Sequence, residues 1–189
     1  MKLAQDHAIQ CGCGQLRGTL AAGAKFTRAV CYCRDCQAFA AALGAPAGML
    51  DAKGGTDVIA TLPRYVRFTA GAGRLACLSL SDHGLLRWYA SCCRSPIGNT
   101  PRNPRISYVG LVHSSLGLDP RALDAVFGPP DLVTFSEHAK EPVPSSGLRT
   151  AMATARIALR LIGTRLDGSW RRTPFFDRDL KPVANPHPA

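Results

Sequence analysis

Seven of the chain's eight cysteines fall in three short knots, and this grouping constrains the fold more than any other feature. The knots are Cys11-x-Cys13, Cys31-x-Cys33-x-x-Cys36 and Cys92-Cys93. The eighth, Cys77, stands alone within Leu75–Leu80 and is expected to be a small buried hydrophobe. In an extended segment residues two apart project to the same side, so a Cys-x-Cys pair aims two sulfurs at one ion. A third cysteine three residues on, across a tight turn, brings another thiolate to the same centre. Cys31, Cys33 and Cys36 can thus supply three sulfurs to a tetrahedral Zn²⁺, leaving the fourth position for water or a substrate thiol. Cys11, Cys13, Cys92 and Cys93 number four, the set that a closed structural site needs. A zinc held there would staple the first strand to the late part of the sheet. Structural zinc supplies ~10–16 kcal/mol in small peptides, comparable to the stability of a whole domain.

The same cysteines admit other readings. Disulfides are one, but the opening Met1–His7 is polar and lacks an apolar secretory segment, which predicts a reducing, cytoplasmic setting. A Cys-x-Cys bridge would also close a very tight ring. Plain buried cysteines are a second reading, against which stands their grouping. An iron–sulfur cluster is a third, though such clusters use four cysteines at other spacings.

With 189 residues, 46% of them apolar, the chain can bury one core of ordinary size, and no apolar run is long enough to span a membrane. Between the knots it reads as short strands: Leu16–Leu20, Arg28–Tyr32, Thr56–Thr61, Tyr65–Thr69, Leu75–Leu80, Leu85–Ala90 and Ser107–Val112. Their spacing predicts a mainly β fold of antiparallel sheets rather than βαβ units. No P-loop or dinucleotide fingerprint is present. After Val112 the texture changes. Pro120–Phe127 predicts a short helix stopped by Gly128-Pro129-Pro130, and a longer one is predicted at about 146–166. There Leu148, Met152, Ala155, Leu159, Ile162 and Leu166 line one face, with Arg149, Arg156 and Arg160 on others. The organisation expected is a zinc-binding β-domain over 1–118 and a C-terminal helical extension over 119–189. From Pro174 onward a loosely ordered tail is expected.

Three elements in order resemble the glutathione-dependent formaldehyde-activating enzyme family, which also includes centromere protein V. Cys11-Gly12-Cys13-Gly14 is similar to its opening Cys-x-Cys-Gly. Cys31-Tyr32-Cys33-Arg34-Asp35-Cys36 resembles its Cys-His-Cys-x-x-Cys. Trp88-Tyr89-Ala90-Ser91-Cys92-Cys93-Arg94-Ser95-Pro96 resembles its aromatic element followed by Cys-x-x-Cys-Gly-Ser/Thr-Pro. The resemblance implies a β-tent of small antiparallel sheets built round two zinc sites. One would be structural, on the first and third elements. The other would sit on the middle element, where glutathione and an aldehyde meet in carbon–sulfur bond formation or cleavage. Three positions depart from the pattern. Ala90 stands where the first cysteine of the third element belongs, so either Cys92 substitutes or that site is a ligand short. Arg94 replaces a glycine, and Tyr32 replaces the middle histidine.

The chemistry expected of the middle site is activation of a small thiol, such as glutathione, for addition to an aldehyde, or the reverse. Arg34 could offset the site's negative charge, and Asp35 could accept a backbone N–H or move a proton. The five histidines lack metal-motif spacing, and His113 is the one expected near a pocket. A net charge of +10, part of it in eight Lys or Arg against three acids from Arg149 onward, favours an alternative: a non-catalytic zinc-stabilised module that binds nucleic acid or a partner protein. Aromatics at 7% and not interleaved with the arginines supply little base stacking, which argues against nucleic acid. The C-terminal helix could form a homodimer, lie on an anionic membrane surface, or cover the sheet, the last being the default expectation.

Overall fold

The computed structural model describes residues 1–188, with the backbone alone at Pro120. The strands are β1 (His7–Gln10), β2 (Arg17–Leu20), β3 (Thr27–Cys31), β4 (Thr56–Thr61), β5 (Val66–Ala70), β6 (Leu75–Ser79), β7 (Leu86–Ala90), β8 (Ser95–Thr100), β9 (Val109–Val112), β10 (Leu132–Thr134) and β11 (His187–Pro188). Three helices join them: α1 (Arg34–Ala42), α2 (Pro120–Phe127) and α3 (Gly147–Leu166). The fold is mainly β, as the strand spacing predicts. Strands β1, β2 and β5 form a small antiparallel sheet. The rest form an eight-stranded sheet in the order β10-β3-β4-β9-β8-β7-β6-β11, antiparallel except where β10 joins β3 and β11 joins β6.

The large sheet has two differently used faces, and the alternation of β7 shows both. Trp88 and Ala90 point into a core shared with Ile9 and Leu20 of the small sheet and with Leu16 just before β2. Trp88 is fully buried and donates from its indole to Thr100 Oγ1 at 2.9 Å. Cys77 lies opposite it in register and is buried, which pushes its thiol up to about 12, so it is the inert hydrophobe expected. Arg87 points to the opposite face, where Phe39 and Ala40 of α1 and Leu43 just after it pack on Leu78 and Val112.

The chain after residue 118 returns into this body. Arg28 on β3, buried, binds Asp57 at 2.7 Å, Asp124 in α2 at 2.5 Å, and the carbonyl of Gly128 just past the end of α2. The loose tail expected from Pro174 is not what forms. Phe175 is fully buried, with its ring 5.3 Å from Trp88 and 5.8 Å from Phe68. Large aromatics bury too much apolar area to be left in solvent beside an open core, whatever prolines surround them.

Helix α3 is where expected, capped by Ser146, but it presents a different face. Ala153 and Thr164 are buried and Thr150, Ile157 and Leu161 half-buried, so this is the side that docks. The apolar stripe lies on the other side: Leu148 is 74% exposed, Leu159 68% and Leu166 84%. The default expectation that the stripe covers the sheet is therefore corrected. A helix carrying alanines and threonines on its inner face can approach the body closely, and here that outweighs burial of the leucines. We expect Leu159→Lys to change unfolding free energy by less than ~0.5 kcal/mol. Ala153→Leu, by overpacking the docked face, should cost about 1–3 kcal/mol. Urea titrations of the two variants would contradict this placement if their order were reversed. No helix among the described residues is long and apolar enough to cross a membrane.

Candidate metal centres

Cys11 directly follows β1 and Cys13 comes next in the loop before β2, where Gly14 takes a left-handed conformation (φ 72°) and its N–H returns to the Cys11 carbonyl at 2.9 Å. Cys92 and Cys93 sit in the turn after β7. There the N–H groups of Cys93 and Arg94 both reach the Ala90 carbonyl, at 3.4 and 2.8 Å. This tight turn brings two adjacent cysteines to one side. Arg94 ends it in the left-handed region (φ 56°), at the position where the resembled pattern has glycine.

The two loops meet. Sγ of Cys92 is 3.4 Å from Cys13, 3.8 Å from Cys11 and 3.9 Å from Cys93, and Cys11 is 3.5 Å from Cys13. Four sulfurs at ~2.3 Å round one tetrahedral ion stand about 3.8 Å apart. The donor set and spacing fit a closed zinc site, and the structure brings Cys92 to where the missing ligand at Ala90 is needed. Ser95 supports the group, accepting from the Gly12 N–H at 2.9 Å and lying 3.1 Å from Cys93 Sγ. Burial opposes ionisation of Cys93, but hydrogen bonds from Ser95 and the backbone outweigh it and lower the thiol to about 6.

The second group joins Cys31, at the end of β3, to Cys33 and Cys36, all with sulfurs within 4.8 Å of one another. The tight turn expected after Cys33 is the first turn of α1. Cys33 is its N-cap, with its sulfur accepting from the Cys36 N–H at 3.4 Å. The three sulfurs therefore gather at a helix N-terminus, which favours thiolate. Hydrogen bonds from Cys33 and Cys36 lower the Cys31 thiol far below its usual value, and the same contacts raise Cys36. One sulfur ionises easily, and the last resists unless a cation joins them. Two groups of cysteines, among the described residues, could thus hold metal ions, zinc being the typical occupant of such sets.

These three cysteines line a cavity of about 600 Å³ on the α1 side of the large sheet. Its charged neighbour is one that sequence reasoning missed. Arg87, with a side chain only 3% exposed, lies 3.5 Å from Cys36 Sγ and 3.5 Å from Asp35 Oδ2, and its Nε has no protein partner among the described residues. Arg34, the residue expected there, lines the cavity but makes no such contact among the described residues. Tyr108 and Asn99 also line it, over Gly110, where a Cβ would stand 2.9 Å from the Tyr108 hydroxyl and 3.0 Å from Asn99 Oδ1. Burial raises the Tyr108 phenol, with the nearby sulfurs adding to it. Tyr32, at the position of the resembled histidine, spends its hydroxyl on Asp51 at 3.0 Å and is not among the lining residues. His113 bonds the Asp57 carbonyl at 3.2 Å and does not line the cavity; His138 does. Leu132 on β10 extends the sheet floor beside Ala29, and the outer wall comes from Phe135 and, on α3, Thr154 and Ile157.

Arg87 is the only buried cation that touches the sulfur group among the described residues. Arg87→Leu is expected to weaken metal binding at Cys31/Cys33/Cys36 by 10–100-fold, as loss of a supporting partner does, while the four-cysteine group keeps its affinity. Competition against a chelator of known affinity checks this, and two unchanged affinities would refute it.

The sulfur clusters and sheet order define a mainly β protein with two cysteine groups that could hold metal ions. Residues 3–186 match a family of unknown function (DUF6151), and the chain belongs to that family. No curated protein matches it. A crystal structure of a Rhodobacter sphaeroides protein is similar at 21% identity, over 61% of this chain and 94% of that one, with a TM-score of 0.42.

Proposed function

We propose that the protein is a zinc-dependent enzyme of the carbon–sulfur lyase type, acting on the adduct of a small thiol with an aldehyde. The observation that carries this is the contrast between the two cysteine groups. Four sulfurs pack on one another at a junction of loops, whereas three line a cavity large enough for a small substrate. Cys31, Cys33 and Cys36 would hold the second ion; when bound, it would supply thiolate stabilisation at neutral pH through a position the protein leaves free. This is also the chemistry that the three sequence elements imply by resemblance.

The chain's own residues supply the rest. Arg87 offsets the negative charge of the sulfur group from a buried position. In the cleavage direction the carbon–sulfur bond breaks with its electron pair going to sulfur, the adduct hydroxyl loses its proton, and the carbon–oxygen bond becomes a carbonyl. Tyr108, a phenol lining the cavity, donates a hydrogen bond to that oxygen. Asp35, on the cavity edge and half exposed, accepts the proton and exchanges it with solvent. Exchange between free aldehyde, thiol and adduct, followed by NMR, tests the reading. The zinc-loaded protein should accelerate exchange at least about 10²-fold over buffer, and Cys36→Ser should abolish the acceleration without altering the far-ultraviolet circular dichroism. No acceleration, together with salt-dependent nucleic-acid binding, would favour the binding-module reading that the +10 charge suggests.

A further inference from the structure

The walls of the cavity restrict what it can take. Beyond the sulfurs, its apolar surface is made by Ala29, Val58, Ala60 and Leu132 from the sheet, and by Phe135 and Ile157, with Asn99, Tyr108 and His138 among its polar lining. Charged groups are few and placed at one end: Arg34 and Asp35 on the first turn of α1, and Arg87, already committed to Cys36 and Asp35. Glutathione carries two carboxylates and an ammonium. Desolvating them against this surface costs several kcal/mol per unpaired charge, and among the described residues the one Lys or Arg lining the cavity without a carboxylate or sulfur partner is Arg34.

Phe135 adds an independent observation. It is an aromatic residue in the left-handed region (φ 56°, ψ 39°), where a bulky side chain is an outlier, and it is 52% exposed at the cavity. The Phe135 carbonyl accepts from the His138 N–H at 3.0 Å, but the same strained backbone leaves the phenyl ring uncovered beside the pocket. Such strain gathers at ligand sites, where the bound group covers what the fold leaves open.

Resting on the reading that Cys31, Cys33 and Cys36 hold an ion, we propose that the cavity takes an uncharged thiol with a hydrophobic tail, free or as its aldehyde adduct, in preference to glutathione. The thiol sulfur joins the sulfur group and its proton passes to solvent. The tail lies between the β3–β4 floor and the wall formed by Phe135 and Ile157. The determinants of substrate choice are therefore on β10, the turn after it and α3, in the part of the chain outside the resembled elements.

The test uses the full chain loaded with Co²⁺, whose absorption reports both the sulfur set and the arrival of another sulfur. Ethanethiol, 1-propanethiol, 1-butanethiol, 1-pentanethiol and glutathione are titrated. The dissociation constant is expected to fall about 4-fold per methylene, the equivalent of ~0.8 kcal/mol per buried CH₂. Glutathione is expected to bind at least 10-fold more weakly than 1-pentanethiol. Phe135→Ser and Ile157→Ser, tested separately, should each reduce the slope of the series to below 2-fold per methylene. A flat series in the wild-type protein, or glutathione binding more tightly than 1-pentanethiol, overturns the proposal while leaving the metal site intact. A cobalt spectrum unchanged by Cys33→Ser, seen before any thiol is added, overturns the metal reading and this proposal together.

Discussion

Cys92→Ser should leave the chain unable to hold its fold, the largest effect expected of any single substitution in the molecule. Cys92 is the hub of its group, within 3.9 Å of the other three sulfurs. The group is also the principal polar link between the Cys11–Leu16 loop of the small sheet and the turn after β7 of the large one, the direct alternative being the single bond from the Gly12 N–H to Ser95. A closed zinc site contributes ~10–16 kcal/mol where it has been measured in small peptides, and whole domains are stable by only about 5–15 kcal/mol. Serine is a far weaker zinc ligand than thiolate, so most of that contribution would go. A strong chelator should act in the same direction on the wild-type protein. Circular dichroism checks both, and a Cys92→Ser protein melting within about 3 °C of the wild type would show that the group does not staple the sheets.

The second large effect is expected at Arg28, far from any sulfur. Its guanidinium is buried and shared by Asp57, Asp124 and the Gly128 carbonyl, which ties β3, β4 and the end of α2 together. Asp57 is the vulnerable partner, its side chain only 16% exposed, whereas that of Asp124 is 62% exposed and can turn to water. Arg28→Met removes the cation and leaves a carboxylate with little solvent, a change that costs about 3–5 kcal/mol for buried pairs. In a chain of this size that is about 10 °C of melting temperature. Adding Asp57→Leu should recover part of the loss, because the desolvated charge goes with its partner. A single variant as stable as the wild type, or a double variant no better than the single one, would show that the ion pair is not what ties these elements.

Much of the β-architecture is legible in the chain because its signals are local. Thr56–Thr61 and the helix Pro120–Phe127 appear as the residues predict, and α3 begins one residue inside its expected range. Strand β8 escapes because Pro96 and Gly98 read as punctuation. Gly98 is needed there, since a Cβ would stand 2.6 Å from the Gly110 carbonyl of the neighbouring strand. Helix α1 escapes for a different reason: a cysteine is an unusual N-cap, and the Cys33–Cys36 spacing reads equally well as a bare turn. The alanines after Gln37 were the available signal.

The sulfur groups were readable because ligand spacing is a local property, and the structure gathers all seven expected cysteines into the two expected sets. The cavity was not. Arg87, Asn99, Tyr108 and Ile157 carry no motif; they meet only through the register of β7, β8 and β9 and the docking of α3. The face α3 uses differs from the expected one because the apolar stripe is the stronger sequence signal, whereas the docking side mixes Ile157 and Leu161 with small residues such as Thr150, Ala153 and Thr164.

Metal content of the protein purified without chelator tests the central claim most directly. Two zinc ions per chain are predicted, falling to one in Cys33→Ser with the circular dichroism spectrum retained. A wild-type protein without zinc, or a Cys33→Ser protein that keeps both ions, would contradict it.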